Sequence, residues 1–144
     1  MRSVLLAAAC AAVLSLAPAA GAELAADRFQ GTISRIDGAL AKRMTGVSWR
    51  PGCPVPLRDL RLLTLSHRRF DGKTRLGRLI VHEDVASELV GMFRTLYRAR
   101  FPIRRMVPVD AYGASDFRSI EADNTSAFNC RFVDGTTRKT SATR

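Results

Sequence analysis

The chain has 144 residues, 47% of them hydrophobic and 25% charged, with a formal net charge of +10. That length suits one domain with a modest core. The charge points to an anionic partner (wall polymer, acidic lipid or nucleic acid) or to a merely solvated basic surface, and the lack of aromatics interleaved with the cations argues against nucleic acid.

The first residues read as an export signal. Arg2 is a short positive start, Val4 to Leu16 is an apolar run too short to span a bilayer, and Ala20-Gly21-Ala22 fits a small-residue cleavage site. The mature chain is expected to begin at Glu23 and to act outside the cytoplasm, secreted and associated with the cell wall, with no stable membrane insertion after cleavage. Cys10 does not make a lipid-anchor site, because Ala7 stands where a larger aliphatic is wanted and the apolar run continues past it.

Glu23 to about Met44 is expected to be a helix. Leu24, Phe29, Ile33, Ile36, Leu40 and Met44 recur at roughly helical spacing, although Gly31 and Gly38 weaken the pattern. Trp49 to Pro56 follows as a linker, since Pro51, Pro54 and Pro56 prevent regular structure and Trp49 is placed to anchor it on a core. Leu60 to Phe70 alternates as a strand, Asp71-Gly72-Lys73 is a turn, and Arg75 to His82 is the return strand of a hairpin.

Glu83 to Ala99 is the clearest helix. Val85, Leu89, Val90, Phe93, Leu96 and Tyr97 form one apolar stripe, acids open it, Arg98 and Arg100 close it, and Pro102 stops it. Ile103 to Ala111 reads as a further strand beside the hairpin. Tyr112 to Asp116 turns the chain, and from Phe117 onward it reads as one long polar loop of the kind that carries function. The expected class is α+β: a small antiparallel sheet, hairpin plus one further strand, with packed helices.

Two cysteines remain after signal removal. In an oxidising compartment Cys53 and Cys130 most simply form one disulfide, worth on the order of 4 kcal/mol in the chain-entropy account; two buried thiols are the alternative. The sequence holds only two histidines, His67 and His82. A lone strand histidine is usually a packing or surface residue, and His82-Glu83-Asp84 offers at best a weak metal contact.

The block Asn124-Thr125-Ser126-Ala127-Phe128-Asn129-Cys130-Arg131 resembles a signature of the VanY-type zinc peptidases, the D-alanyl-D-alanine carboxypeptidases and peptidoglycan endopeptidases of bacterial walls. The likeness spans Leu57 to Arg131. It includes Pro-Leu-Arg-Asp-Leu at Pro56 to Leu60, the Phe70-Asp71-Gly72 turn, Arg78-Leu79-Ile80-Val81 and Phe101-Pro102-Ile103. After the signal at residues 1–22 and the helix and linker at 23–56, it implies that residues 57–144 are a partial peptidase domain. The implied reaction is hydrolysis of a peptidoglycan peptide by zinc-activated water. The implied ligands are a His, an Asp shortly after it and a distant His, with a Glu base near the last. A segment S-x-H-x-x-G-x-A-x-D should follow the block, but Lys139 to Arg144 does not align with it, so the zinc ligands of the family are absent and the chain is expected to be inactive by itself. A frame change, a truncated gene model and a short paralogue each account for that.

The resemblance makes Arg131 the first and Arg118 the second candidate for gripping substrate or an oxyanion, a task that suits an always-charged guanidinium. Asn124, Ser126 and Asn129 would position backbone or ligand, or else only hold their loop together. The reading from another class is a non-catalytic, cationic wall-binding protein.

Overall fold

A computed structural model describes residues 28–132 and 139–141. The expected signal, its cleavage site and the segment at 133–138 lie outside the described residues. The arrangement is α+β, as the sequence predicts. Strands β1 (Gly31–Arg35), β2 (Leu60–Arg68) and β3 (Thr74–His82) form an antiparallel sheet in that order. Its hairpin pairs Leu63 with Leu79 and Leu65 with Gly77. At the turn, Asp71 Oδ1 accepts from the Lys73 amide at 3.1 Å and Gly72 takes a φ of 74°.

Alternation along the strands sends side chains to two faces. Leu63, Leu65, Leu79 and Val81 face helix α2 (Glu83–Arg98) and meet its Ala86, Val90 and Phe93. On the other face Leu60 and Ile80 pack with Leu40 and Met44 of helix α1 (Gly38–Met44), and with Phe128 and Cys130. Burying a side chain such as Phe93 contributes about 1.5–3 kcal/mol of transfer free energy. Two glycines are required by close approach. A Cβ on Gly77 would stand 2.5 Å from Met106 Cβ, and one on Gly31 would stand 2.8 Å from Phe29 and 2.9 Å from Val90.

Helix α2 matches its expected bounds to within a residue. His82 Nδ1 accepts from the Asp84 amide at 3.3 Å and caps its start. Its end is a Schellman turn, in which the Arg100 amide donates to Tyr97 O at 3.1 Å and the Phe101 amide to Leu96 O at 3.0 Å. Among the described residues no helix is long and apolar enough to cross a membrane.

Three expectations are corrected. The expected helix from Glu23 to Met44 is not continuous; Gly31–Arg35 is an edge strand, and among the described residues of that stretch only Gly38–Met44 is helical. Asp37 decides the break, its Oδ1 accepting from the Leu40 amide at 2.7 Å as an N-cap, while the β2 edge offers the preceding residues a full ladder. The stretch from Ile103 to Ala111 is not a strand beside the hairpin. Arg105–Met106 (β4) pairs in parallel with Asn124–Thr125 (β5), and Val109–Tyr112 is a 3-10 turn. Pro102 and Pro108 lack the amides a ladder needs, so Ile103 and Met106 instead cross the sheet face and join its core. The region after Phe117 is not one long loop: Asp116–Glu121 is helix α3, capped by Ser115 Oγ, which accepts from the Arg118 amide at 3.2 Å. Cys130–Phe132 (β6) then pairs with Lys139–Ser141 (β7).

Candidate functional site

An open cleft of about 1160 Å³ lies beside the first half of α2. Helix α2 contributes Asp84, Val85, Glu88, Leu89 and Met92, and α3 contributes Asp116, Ser119 and Ile120. The block that carries the resemblance runs along it, contributing Asn124, Ser126, Ala127, Asn129 and Arg131. The sheet and α2 hold the apolar side of this cleft rigidly, because Val85 and Leu89 also pack on the core between them.

Arg131 lies in β6 and Asn129 immediately precedes that strand. Asp116, in the first turn of α3, holds both. Its Oδ2 pairs with Arg131 Nε, and its Oδ1 accepts from Asn129 Nδ2 at 2.8 Å. Asn129 Nδ2 also donates to Ala114 O at 3.0 Å. Both partners of Nδ2 are acceptors, which fixes the amide orientation. Asn129 is 4% exposed, and its Oδ1 has no hydrogen-bond partner among the described residues. Gly113 and Ala114, at φ of 61° and 59°, form the consecutive left-handed pair that carries the Ala114 carbonyl to Asn129.

The remaining candidates divide. Asn124 borders the cleft, but its side chain is committed to structure: Oδ1 accepts from the Val107 amide at 3.0 Å, and Nδ2 donates to Val107 O and to Ser119 Oγ. It locks the β4–β5 pair to α3. Ser126 is exposed on the lining. Arg118 does not line the cleft; its guanidinium lies against Gly113, where an added Cβ would stand 2.8 Å from Nη2. Cys53 and Cys130 are disulfide-bonded, with Cα atoms 6.0 Å apart, so the proline-rich linker is tied to β6 between Asn129 and Arg131. Trp49 anchors that linker by donating from Nε1 to Val55 O at 2.8 Å.

Sequence reasoning missed Asp116 and Glu88, and gave Asp84 only as part of a weak metal contact. Asp116 was legible as the first helical residue after a serine cap. Asp84 and Glu88 are four residues apart on one helix flank, the side neighbouring the apolar stripe.

The two histidines are placed apart. His82 borders the cleft, with Nδ1 3.3 Å from Asp84 Oδ2. His67 is buried. Burial lowers its pKa from the ordinary value, and Arg69 and Arg75 add to that, against a hydrogen bond with the Leu65 backbone that raises it. Among the described residues no group of three His, Cys, Asp or Glu side chains is placed to hold a metal ion. The described residues therefore do not fit the zinc that the resemblance implies, and no chemical step is derived through it. No family model, no curated protein and no solved structure matches this chain.

Proposed function

We propose that this chain is the substrate-binding part of an exported, VanY-like peptidoglycan peptidase domain, and that its cleft takes the C-terminal end of a wall peptide without hydrolysing it unaided. One observation carries the reading. The cleft is lined by an anchored guanidinium at Arg131 in β6 and, just before that strand, by Asn129 with its buried and unsatisfied acceptor Oδ1. Leaving such an acceptor unpaired costs about 1–3 kcal/mol, which a ligand donor would recover. A peptide terminus supplies the complementary pair: a carboxylate or carbonyl for Arg131 and a backbone N–H for Asn129 Oδ1. Asp116 engages Arg131 through Nε, which directs the Nη groups to a ligand. Val85, Leu89, Met92 and Ala127 give small side chains such as alanine an apolar wall.

The test is calorimetric titration of the protein with an acylated peptide ending in D-Ala-D-Ala, beside the same peptide with an amidated terminus. The free-acid peptide should bind, and both amidation and Arg131→Ala should weaken it about tenfold, the loss expected for a charge-assisted hydrogen bond. Equal binding of both peptides, unaffected by Arg131→Ala, would overturn the reading. Adsorption to whole sacculi with no peptide binding would favour the cationic wall-binding alternative.

A further inference from the structure

The end of the molecule away from the cleft carries a second surface. The hairpin turn and the C-terminus of α2 are held together there. Thr74 Oγ1 and Tyr97 Oη are 2.9 Å apart, the Ile103 amide donates to Arg68 O at 2.7 Å, and the Arg68 guanidinium lies 4.7 Å from the Tyr97 ring centroid. This packing gathers exposed cations that are distant in sequence: Arg69, Lys73, Arg75, Arg98, Arg100 and Arg104. Among the described residues their acidic neighbours are few. Asp71 lies in the turn, and Asp123 pairs with Arg104 at 3.6 Å.

Two large aromatics are left in water within this cationic end. Phe70 is 73% exposed at the hairpin tip, and Phe101 is 54% exposed just after the helix. A solvated basic face needs neither, and exposed apolar groups ringed by charge mark interaction sites. A soluble polyanion would neutralise the cations but offers no apolar phase for the rings. A bilayer of anionic phospholipid offers both, phosphates for the guanidinium groups and an acyl boundary for the phenyl rings.

We infer that the Phe70–Phe101 end is a peripheral docking surface for an anionic phospholipid membrane, bound by its cations and by shallow insertion of the two phenyl rings. This is adsorption from one side, not a membrane span. It leaves the cleft to one side of the bilayer, because α2 lines the cleft from Asp84 to Met92 and reaches Arg98 at the surface roughly 9 Å beyond Met92 at 1.5 Å per residue.

The experiment is co-sedimentation of the full mature protein with phosphatidylcholine vesicles, with and without phosphatidylglycerol, at about 0.15 M salt. Anionic vesicles should bind at least tenfold more protein than neutral ones. Phe70→Ser combined with Phe101→Ser should lower that affinity at least tenfold while net charge and melting temperature stay the same, the rings being exposed. Arg98→Gln should lower it about fivefold. In a Phe70→Trp variant, vesicle addition should shift the emission of the new tryptophan to the blue, read as the difference from the parent protein with Trp49 alone. Equal binding to both vesicle types would overturn the inference. So would an unchanged affinity in the double phenylalanine variant, or an unshifted difference emission from the vesicle-bound Phe70→Trp variant, since either outcome means that the surface binds by charge alone, with no insertion of the rings.

Discussion

At the scale of single residues, Asp116 organises the cleft. It accepts from Asn129 on one oxygen and pairs with Arg131 on the other. Replacing it with Ala removes both contacts and leaves the Asn129 amide half-satisfied. The expected cost is about 1–2 kcal/mol in urea unfolding, moderated by the partial exposure of the pair. Peptide affinity should fall with it, while Ser126→Ala, exposed on the same lining, should leave stability within about 0.5 kcal/mol. His67 makes a different prediction. Its pKa is lowered in the fold, chiefly by burial. The unfolded chain therefore takes up a proton that the folded chain refuses, between the ordinary value of 6.5 and the lowered one. Stability is unaffected above that window and declines as pH falls through it, by up to about 1.4 kcal/mol per pH unit from this one group. Urea midpoints measured from neutral to mildly acidic pH should show that decline in the parent and a flatter profile in His67→Gln. A parent profile that rises toward acid would show that His67 gains its proton on folding.

At the scale of elements, what was legible followed from local patterns strong enough to stand without neighbours. Helix α2 has an apolar stripe, acids at its start, a basic end and a proline stop, and all four agree on one structure. The hairpin likewise combines alternation with an Asp-Gly turn. The first strand was not legible, because Phe29, Ile33 and Ile36 fit helical spacing as well as they fit Gly31–Arg35 pairing to β2, and the deciding partner lies about thirty residues onward. Helix α3 was hidden by its length and polarity, though Ser115 and Asp116 were its visible start. The signature block drew attention to Asn129 and Arg131, but nothing local linked them to Asp116, because that contact exists only in three dimensions. The end of α2 also carries an identifiable strain. Arg100 occupies the left-handed position of the Schellman turn at φ 55°, where glycine is ordinarily preferred. Arg100→Gly should therefore stabilise the fold by about 1 kcal/mol. If the cationic end docks on lipid, the same change should weaken vesicle binding about fivefold. Stability and function would then move in opposite directions in one variant, which a purely solvated arginine would not produce.

At the scale of the whole molecule, one covalent tie joins the linker to the strand that bears the cleft residues. The Cys53–Cys130 bond spans 77 residues and links the proline-rich linker to β6. Both cysteines belong to the core on the α1 side of the sheet, where Cys130 is buried and Cys53 packs at its margin. The linker has no ladder of its own, and the Cys130 amide donates to Ser48 O at 2.9 Å, so β6 and the linker depend on each other for position. Closing a loop of this length restricts the unfolded chain by on the order of 4 kcal/mol, a large share of the stability of a small domain. The double variant Cys53→Ser, Cys130→Ser should lose about that much in urea unfolding, as should the parent protein under reductant. The losses need not be uniform. Asn129 and Arg131 flank Cys130 and should be displaced first, whereas the hairpin turn and the end of α2 are held by Thr74, Tyr97 and Arg68, far from the bond. In mild conditions that keep the reduced protein folded, peptide binding should therefore fall while adsorption to anionic vesicles persists. Loss of both in parallel would mean that the disulfide supports the fold as a whole rather than the cleft in particular; retention of both, with unchanged urea midpoints, would mean that the packing around Ser48 and Trp49 suffices without it.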